Sequence, residues 1–245
     1  MKLALIPPRI SLINTQNTGY HLLLPEHADD AYYESYYNWR RACGDFLMLD
    51  NGIAEGKPTD PEDLLGVAFK YMVNEVVVPD VLCDMKATIQ AAWDFEQYAD
   101  EARSFNYMGV VQGSTLEELL SCMHDFAVME YIDTLAIPRH VETTVGFGTR
   151  LRLVEHAFKT YDKEIHLLGT NPRAMSELRT YAEHYRLYGV RGIDTASPYY
   201  YAMAGQFIIE ENHVARPEGY YDDCNYDEHL AQQNVAVVKA WVYGN

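Results

Sequence analysis

Six residues of chemical interest stand at nearly even intervals along the chain: Asp50, Asp80, Gln112, Pro138, Gly169 and Asp194. Three are carboxylates. Two carboxylates brought to one face suit glycosidic chemistry, in which one attacks or stabilises an anomeric carbon while the other moves protons. A single aspartate at a strand end is ordinarily a helix cap; three of them together with a glutamine point to a site.

Each of the six follows or ends a short apolar run: Phe46-Leu47-Met48-Leu49, Glu75-Val76-Val77-Val78, Tyr107-Met108-Gly109-Val110-Val111, Thr134-Leu135-Ala136-Ile137, Ile165-His166-Leu167-Leu168 and Val190-Arg191-Gly192-Ile193. Segments of helical period separate them, and the repeat of about 30 residues is the length of one βα unit. Asp60-Pro61, Ser114-Thr115 ahead of Glu117-Glu118, and Asn171-Pro172 read as helix starts. A strand near residues 2 to 6 and an apolar run at Gln206 to Ile209 bring the count to eight. The expectation is a TIM-type (βα)8 barrel, one α/β domain over residues 1–245, closed by a C-terminal helix at about 226–242. An open doubly wound sheet is the second choice. The Tyr-rich stretch from Ala31 to Trp39 reads as the first long helix, packed on the barrel. No GxGxxG or Walker A pattern occurs, so neither a dinucleotide nor a P-loop site is indicated.

Composition narrows the classes further. With 19 basic and 36 acidic residues the net charge is −17, which argues against a protein that coats nucleic acid by general electrostatics. Arginines nonetheless concentrate between Arg139 and Arg191, so a local basic patch stays open. No apolar run is long enough to span a membrane, and the Pro-broken N-terminus is no signal peptide. The expected location is therefore the cytoplasm, that of the host if the protein is phage-encoded. Cys43, Cys83, Cys122 and Cys224 form no CxxC pair, so neither a disulfide scaffold, a zinc site nor another cofactor is expected.

At the strand ends the sequence resembles the tRNA-guanine transglycosylase superfamily, most closely its phage-type DNA-guanine members, which insert 7-deazaguanines. Leu49-Asp50-Asn51-Gly52-Ile53 is similar to the family's Asp-Ser-Gly-Gly-Phe motif, and Val77-Val78-Pro79-Asp80 to its second acidic strand end. Gly109-Val110-Val111-Gln112-Gly113 is the most specific match. Leu167-Leu168-Gly169, followed by Asn171-Pro172, and Gly192-Ile193-Asp194 with Pro198 shortly after it complete a series running roughly from position 45 to position 200. The family's fold is the same (βα)8 barrel. An alternative register would place Ser197 at the nucleophile position; the register that aligns Pro198 puts a carboxylate there instead.

The resemblance implies roles. Asp194 would be the nucleophile at C1′ and Asp50 the group that handles protons or orients the sugar. Asp80 and Gln112 would read the edge of the base, with Gly113 and Gly169 admitting close backbone approach. Asn51, Gly52, Pro138 and Leu168 complete the substrate-binding set. Three departures stand out. Pro138-Arg139-His140 replaces the family's Gly-Gly-Leu, and the family's zinc ligands are missing, only Cys224 and His229 standing in the corresponding tail. Tyr199-Tyr200-Tyr201 replaces the Arg-rich segment of the tRNA enzymes and would either stack on an extruded base or pack beneath the last helix.

The expected activity is exchange of guanine in a polynucleotide for a 7-deazaguanine such as preQ0 or preQ1, with DNA favoured. A tRNA-guanine transglycosylase and a noncatalytic nucleobase-binding or partner barrel are the alternatives. The expected partners are a guanine site in DNA or tRNA and the free 7-deazaguanine base, with a homodimer or a heteromeric assembly left open and no membrane.

Overall fold

A computed structural model of the chain describes residues 1–102, 104–170, 174–209, 214–222 and 225–244, without the side chains at 100, 101, 174 and 175. Eight short strands alternate with helices: β1 (Lys2–Leu5), β2 (Tyr20–Leu23), β3 (Phe46–Leu49), β4 (Glu75–Val77), β5 (Asn106–Val110), β6 (Thr134–Pro138), β7 (Glu164–Leu168) and β8 (Gly192–Thr195). All paired neighbours are parallel, in the order β1-β8-β7-β6-β5-β4-β3-β2. The two ends of that order, β1 and β2, lie against each other, so the sheet nearly closes into a (βα)8 barrel. The helices are α1 (Ala31–Ala42), α2 (Pro61–Tyr71), α3 (Met85–Glu101), α4 (Leu116–Val128), α5 (Val141–Thr144), α6 (Thr149–Thr160), α7 (Ala174–Leu187), α8 (Ser197–Met203) and α9 (Glu228–Tyr243).

One strand differs from expectation. The segment Gln206 to Ile209 is coil and turn, and the strand that completes the barrel is β2, between Gly19 and Pro25. The reason is where the backbone groups go. Asn234 of α9 accepts from the Ile208 amide at 2.8 Å and donates to the Gln206 carbonyl at 3.2 Å, taking the place of a strand ladder.

The strands are short because each needs only a few inward side chains to fill a layered interior. Period-2 alternation sends Ala4, Tyr20, Leu22, Met48, Val77, Met108, Val110 and Ala136 inward as one cluster. Their neighbours, such as Leu3, Leu23, Leu47, Leu49, Val76, Leu135, Ile165, Leu167 and Ile193, belong to the larger core that also takes in helix residues. The same parity carries Asp50, Gln112, Pro138, Leu168 and Asp194 to the carboxyl mouth of the barrel.

Helix starts follow the local rules. Asp30, Asp60, Asp84, Thr115 and Asp227 each accept a hydrogen bond from an amide just downstream, capping α1, α2, α3, α4 and α9. The expected start at Asn171-Pro172 lies outside the described residues. In α1, Tyr33, Tyr36 and Tyr37 are buried, with the Tyr33 and Tyr37 rings 4.6 Å apart. Tyr199 and Tyr201 are buried in α8, which packs on α9, while Tyr200, also buried, lines the cavity at the barrel mouth.

Of the arginines between 139 and 191, Arg150 is drawn inside and contributes nothing to a basic surface. Arg150 is fully buried and donates to the carbonyls of Ile137, Leu168 and Gly169 at 2.7 to 2.9 Å, besides pairing with Glu177 at 3.0 Å. Glu142 receives the Gly148 and Arg150 amides at 2.8 and 2.6 Å. This knot ties the carboxyl ends of β6 and β7 to α6 and α7. Arg150→Met keeps the bulk but strips several buried acceptors of their donor, and urea unfolding is expected to show a loss of about 3 to 5 kcal/mol. A loss within the roughly 1 kcal/mol of a surface pair would show that the knot does not hold the strand ends.

Candidate active site

The carboxyl ends of the strands surround a cavity of about 140 Å³. Ile6, Leu22, Val77, Val110 and Leu168 supply apolar wall; Asp50, Asn51, Asp80, Gln112 and Asp194 supply polar groups. A void of about 150 Å³ is the size that holds one aromatic ring in an engineered protein core, so the space suits a single planar group. Pro138 and Gly169 also line it, whereas Gly52 and Gly113 do not. A Cβ at Gly113 would meet Glu118 Cβ at 2.8 Å, so this glycine makes room for α4 and not for a ligand. Gly52 has φ +80° and its Cβ would meet the Lys57 carbonyl oxygen at 2.1 Å, so it serves the turn after β3.

The three aspartates are held differently. Asp194 accepts from the Gly169 amide at 3.0 Å on both oxygens and from His166 Nε2 at 3.2 Å on Oδ1. Asp80 accepts from Asn51 Nδ2 at 2.6 Å and from Gln112 Nε2. Asn51 spends its other amide hydrogen on the Val78 carbonyl at 2.9 Å and its oxygen on the Ile53 amide at 3.0 Å, so it orients Asp80 and reads nothing itself. The oxygen of Gln112 takes the Cys83 amide at 2.9 Å, which leaves one amide hydrogen toward the cavity. Among the described residues Asp50 has only the Gly52 amide, at 3.3 Å.

Electrostatics follow from that geometry. Burial, with Asp194 and Asp80 adding like charge, pushes Asp50 up to about 7. Burial raises Asp80 to about 6 against the pull of its Asn51 and Gln112 hydrogen bonds. Near neutrality Asp50 therefore holds a proton that it can give up. His140 at the mouth is pushed down to about 4 by burial and by the nearby Arg150 and Arg139, so its ring is neutral.

Sequence reasoning gave no role to His166, Thr170, Thr195, Arg216 and Tyr221, which the structure brings here. His166 sits mid-strand, where it read as part of an apolar run. Ser197, Thr170, Thr195 and Tyr200 form a hydroxyl cluster: Thr170 Oγ1 lies 2.7 Å from Thr195 Oγ1 and 2.6 Å from Ser197 Oγ, which lies 2.7 Å from Tyr200 OH. No histidine or carboxylate touches the Ser197 hydroxyl among the described residues, so nothing there activates it. Arg216 pairs with Glu55 and hydrogen-bonds Tyr221 at 2.9 Å, linking the segment after α8 to the loop after β3 across the mouth. Arg139 lines the mouth as a cation over Gly169.

Among the described residues no group of three or more His, Cys, Asp and Glu side chains is arranged to hold a metal ion, and no helix is long and apolar enough to cross a membrane. Cys224 lies outside the described residues; His229 is exposed on α9 beside Gln233.

No family model matches the chain, and no curated protein does either.

Because Asp50 titrates higher folded than unfolded, its contribution is fully present below the unfolded value of 3.8 and is lost as pH rises through about 7. Asp50→Asn, which cannot ionise, is expected to match the parent's melting temperature near pH 4 and to exceed it near pH 8. The gap should reach on the order of 2 to 4 kcal/mol. Melting curves with equal separation at both pH values would show that Asp50 is not held as a neutral acid.

Proposed function

We propose that the protein is a base-exchange transglycosylase that replaces guanine in a polynucleotide, DNA in preference to tRNA, with a 7-deazaguanine such as preQ0 or preQ1. The observation that carries this reading is the pairing of Asp50 and Asp194 in one ring-sized cavity, one a buried acid near neutrality and the other an oriented acceptor of N–H groups. The motif resemblance assigns the same two residues to the same chemistry.

In this reading an Asp194 oxygen attacks C1′, the C1′–N9 bond breaks, and its electron pair leaves with guanine, which takes a proton from Asp50. The incoming deazaguanine returns a proton from N9 to Asp50 and attacks C1′. The ester bond then breaks and restores the Asp194 carboxylate. Two displacements at one carbon preserve its configuration. Asp80 and the free Gln112 amide hydrogen recognise the hydrogen-bonding edge of the base. A cavity for one planar group requires the target base to be unpaired or extruded from its stack. The net charge of −17 disfavours holding a long stretch of polynucleotide backbone, which favours a substrate met through one flipped nucleotide.

Mass spectrometry of nucleosides from DNA and tRNA of cells that express the protein and receive a deazaguanine precursor is expected to find the modified base in DNA. Incorporation into tRNA alone would overturn the DNA preference; incorporation into neither would overturn the reading. Asp194→Asn should abolish both exchange and the denaturant-resistant protein–polynucleotide adduct, and Ser197→Ala should retain both.

Base affinity offers a separate check. Asp80→Ala removes a buried partner worth about 1 to 3 kcal/mol, so calorimetry should show deazaguanine bound roughly ten- to a hundredfold more weakly. Unchanged affinity would mean that the base sits elsewhere.

A further inference from the structure

Behind Asp194 a line of buried polar side chains runs down the barrel axis. His166, fully buried on β7, sets Nε2 at 3.2 Å from Asp194 Oδ1 and Nδ1 at 3.0 Å from the Tyr20 hydroxyl of β2. Arg191 Nε reaches the Tyr20 oxygen at 3.1 Å, and its guanidinium is held by Glu75, Glu164 and Thr134 at the opposite end of the barrel. Gly192 belongs to the same arrangement: a Cβ there would lie 2.6 Å from the Tyr20 ring, so the glycine shortly before Asp194 is what admits the tyrosine.

The order of donors is set by chemistry. A guanidinium only donates, so the Tyr20 oxygen accepts from Arg191 and its own hydrogen is free for His166 Nδ1. The imidazole must then carry its proton on Nε2, facing Asp194. Burial pushes His166 down and keeps the ring neutral, against the pull of Asp194, and burial likewise pushes the Tyr20 phenol well up, so it stays protonated. Oδ1 of Asp194 thus takes two N–H groups, while among the described residues Oδ2 has only its share of the Gly169 amide.

We propose that Arg191, Tyr20 and His166 form a buried relay that locks the His166 tautomer and fixes Asp194, leaving Oδ2 as the attacking atom. His166 is then a positioning residue, acting through Asp194 without touching substrate. The kinetic part of this inference rests on Asp194 being the nucleophile; the tautomer part does not. The charged and titratable groups facing the relay are Asp194 on β8, Tyr20 on β2, Glu75 on β4, Glu164 on β7, Lys2 on β1 and Arg191 before β8, with Asp50 after β3 beside Asp194.

The test joins nitrogen NMR of the full chain, labelled at its histidine rings, with exchange kinetics. The His166 signals, assigned by their loss in His166→Gln, are expected to show bare Nδ1 and protonated Nε2 at neutral pH. Tyr20→Phe should mix the tautomers. In the exchange assay Tyr20→Phe and His166→Ala should lower kcat about 10- to 100-fold at unchanged KM for the base. His166→Gln, which retains an N–H toward Asp194, should recover part of the loss. A proton on Nδ1, or a Tyr20→Phe variant with parental spectrum and kcat, would overturn the relay. Exchange that survives Asp194→Asn would instead overturn the proposed function, and the tautomer result would still decide the relay.

Discussion

Every second residue of each strand points into an interior that all eight strands share, and that interior offers no bulk water. A polar group placed there must find its partner on another strand. Glu75, Thr134, His166, Tyr20, Arg191 and Asp194 come from five strands or their immediate flanks, and they satisfy one another. Removing any one leaves a buried charge or dipole without its partner, which is why the group acts as a unit. The barrel's register and the orientation of Asp194 are two consequences of the same requirement.

The mouth of the barrel applies that requirement in the opposite direction. Asp50 is buried near Asp194 and Asp80 with a single long hydrogen bond among the described residues, and it responds by holding its proton. Asp80 is boxed in by Asn51 and Gln112, and Gln112 is itself fixed by the Cys83 amide. Cys83 adopts φ +60°, an uncommon conformation for a residue with a side chain, at the point where its backbone serves Gln112. Three chemically identical side chains thus acquire three environments from the protein groups that face them.

Support for the mouth comes from behind it. Arg150 gathers the Ile137, Leu168 and Gly169 carbonyls into one buried fork, and the Gly169 amide then faces Asp194. Pro138 offers no amide of its own, and Arg139 and His140 line the cavity beside it.

The barrel was legible because its signals are local. Even spacing at the length of a βα unit, apolar runs of strand length and capping residues such as Asp60 and Thr115 each reflect a short neighbourhood of the chain, and together they determine a repeated unit. The parity that brings Asp50, Gln112 and Asp194 to one mouth is also a property of short stretches. β2 escaped notice because so short a strand between two turns gives little periodicity, while Gln206 to Ile209 imitates a strand until Asn234 claims its backbone. The buried relay was beyond reach for a different reason: His166 and Arg191 stand 146 and 171 positions from Tyr20 in the chain, and only closure of the barrel makes them neighbours. Sequence alone determined which residue types would stand at the strand ends. Tertiary structure decided which carboxylate keeps its proton, which glycines face a helix instead of a ligand, and which histidine stands behind Asp194, because burial and hydrogen bonding between distant strands are set only when those strands meet.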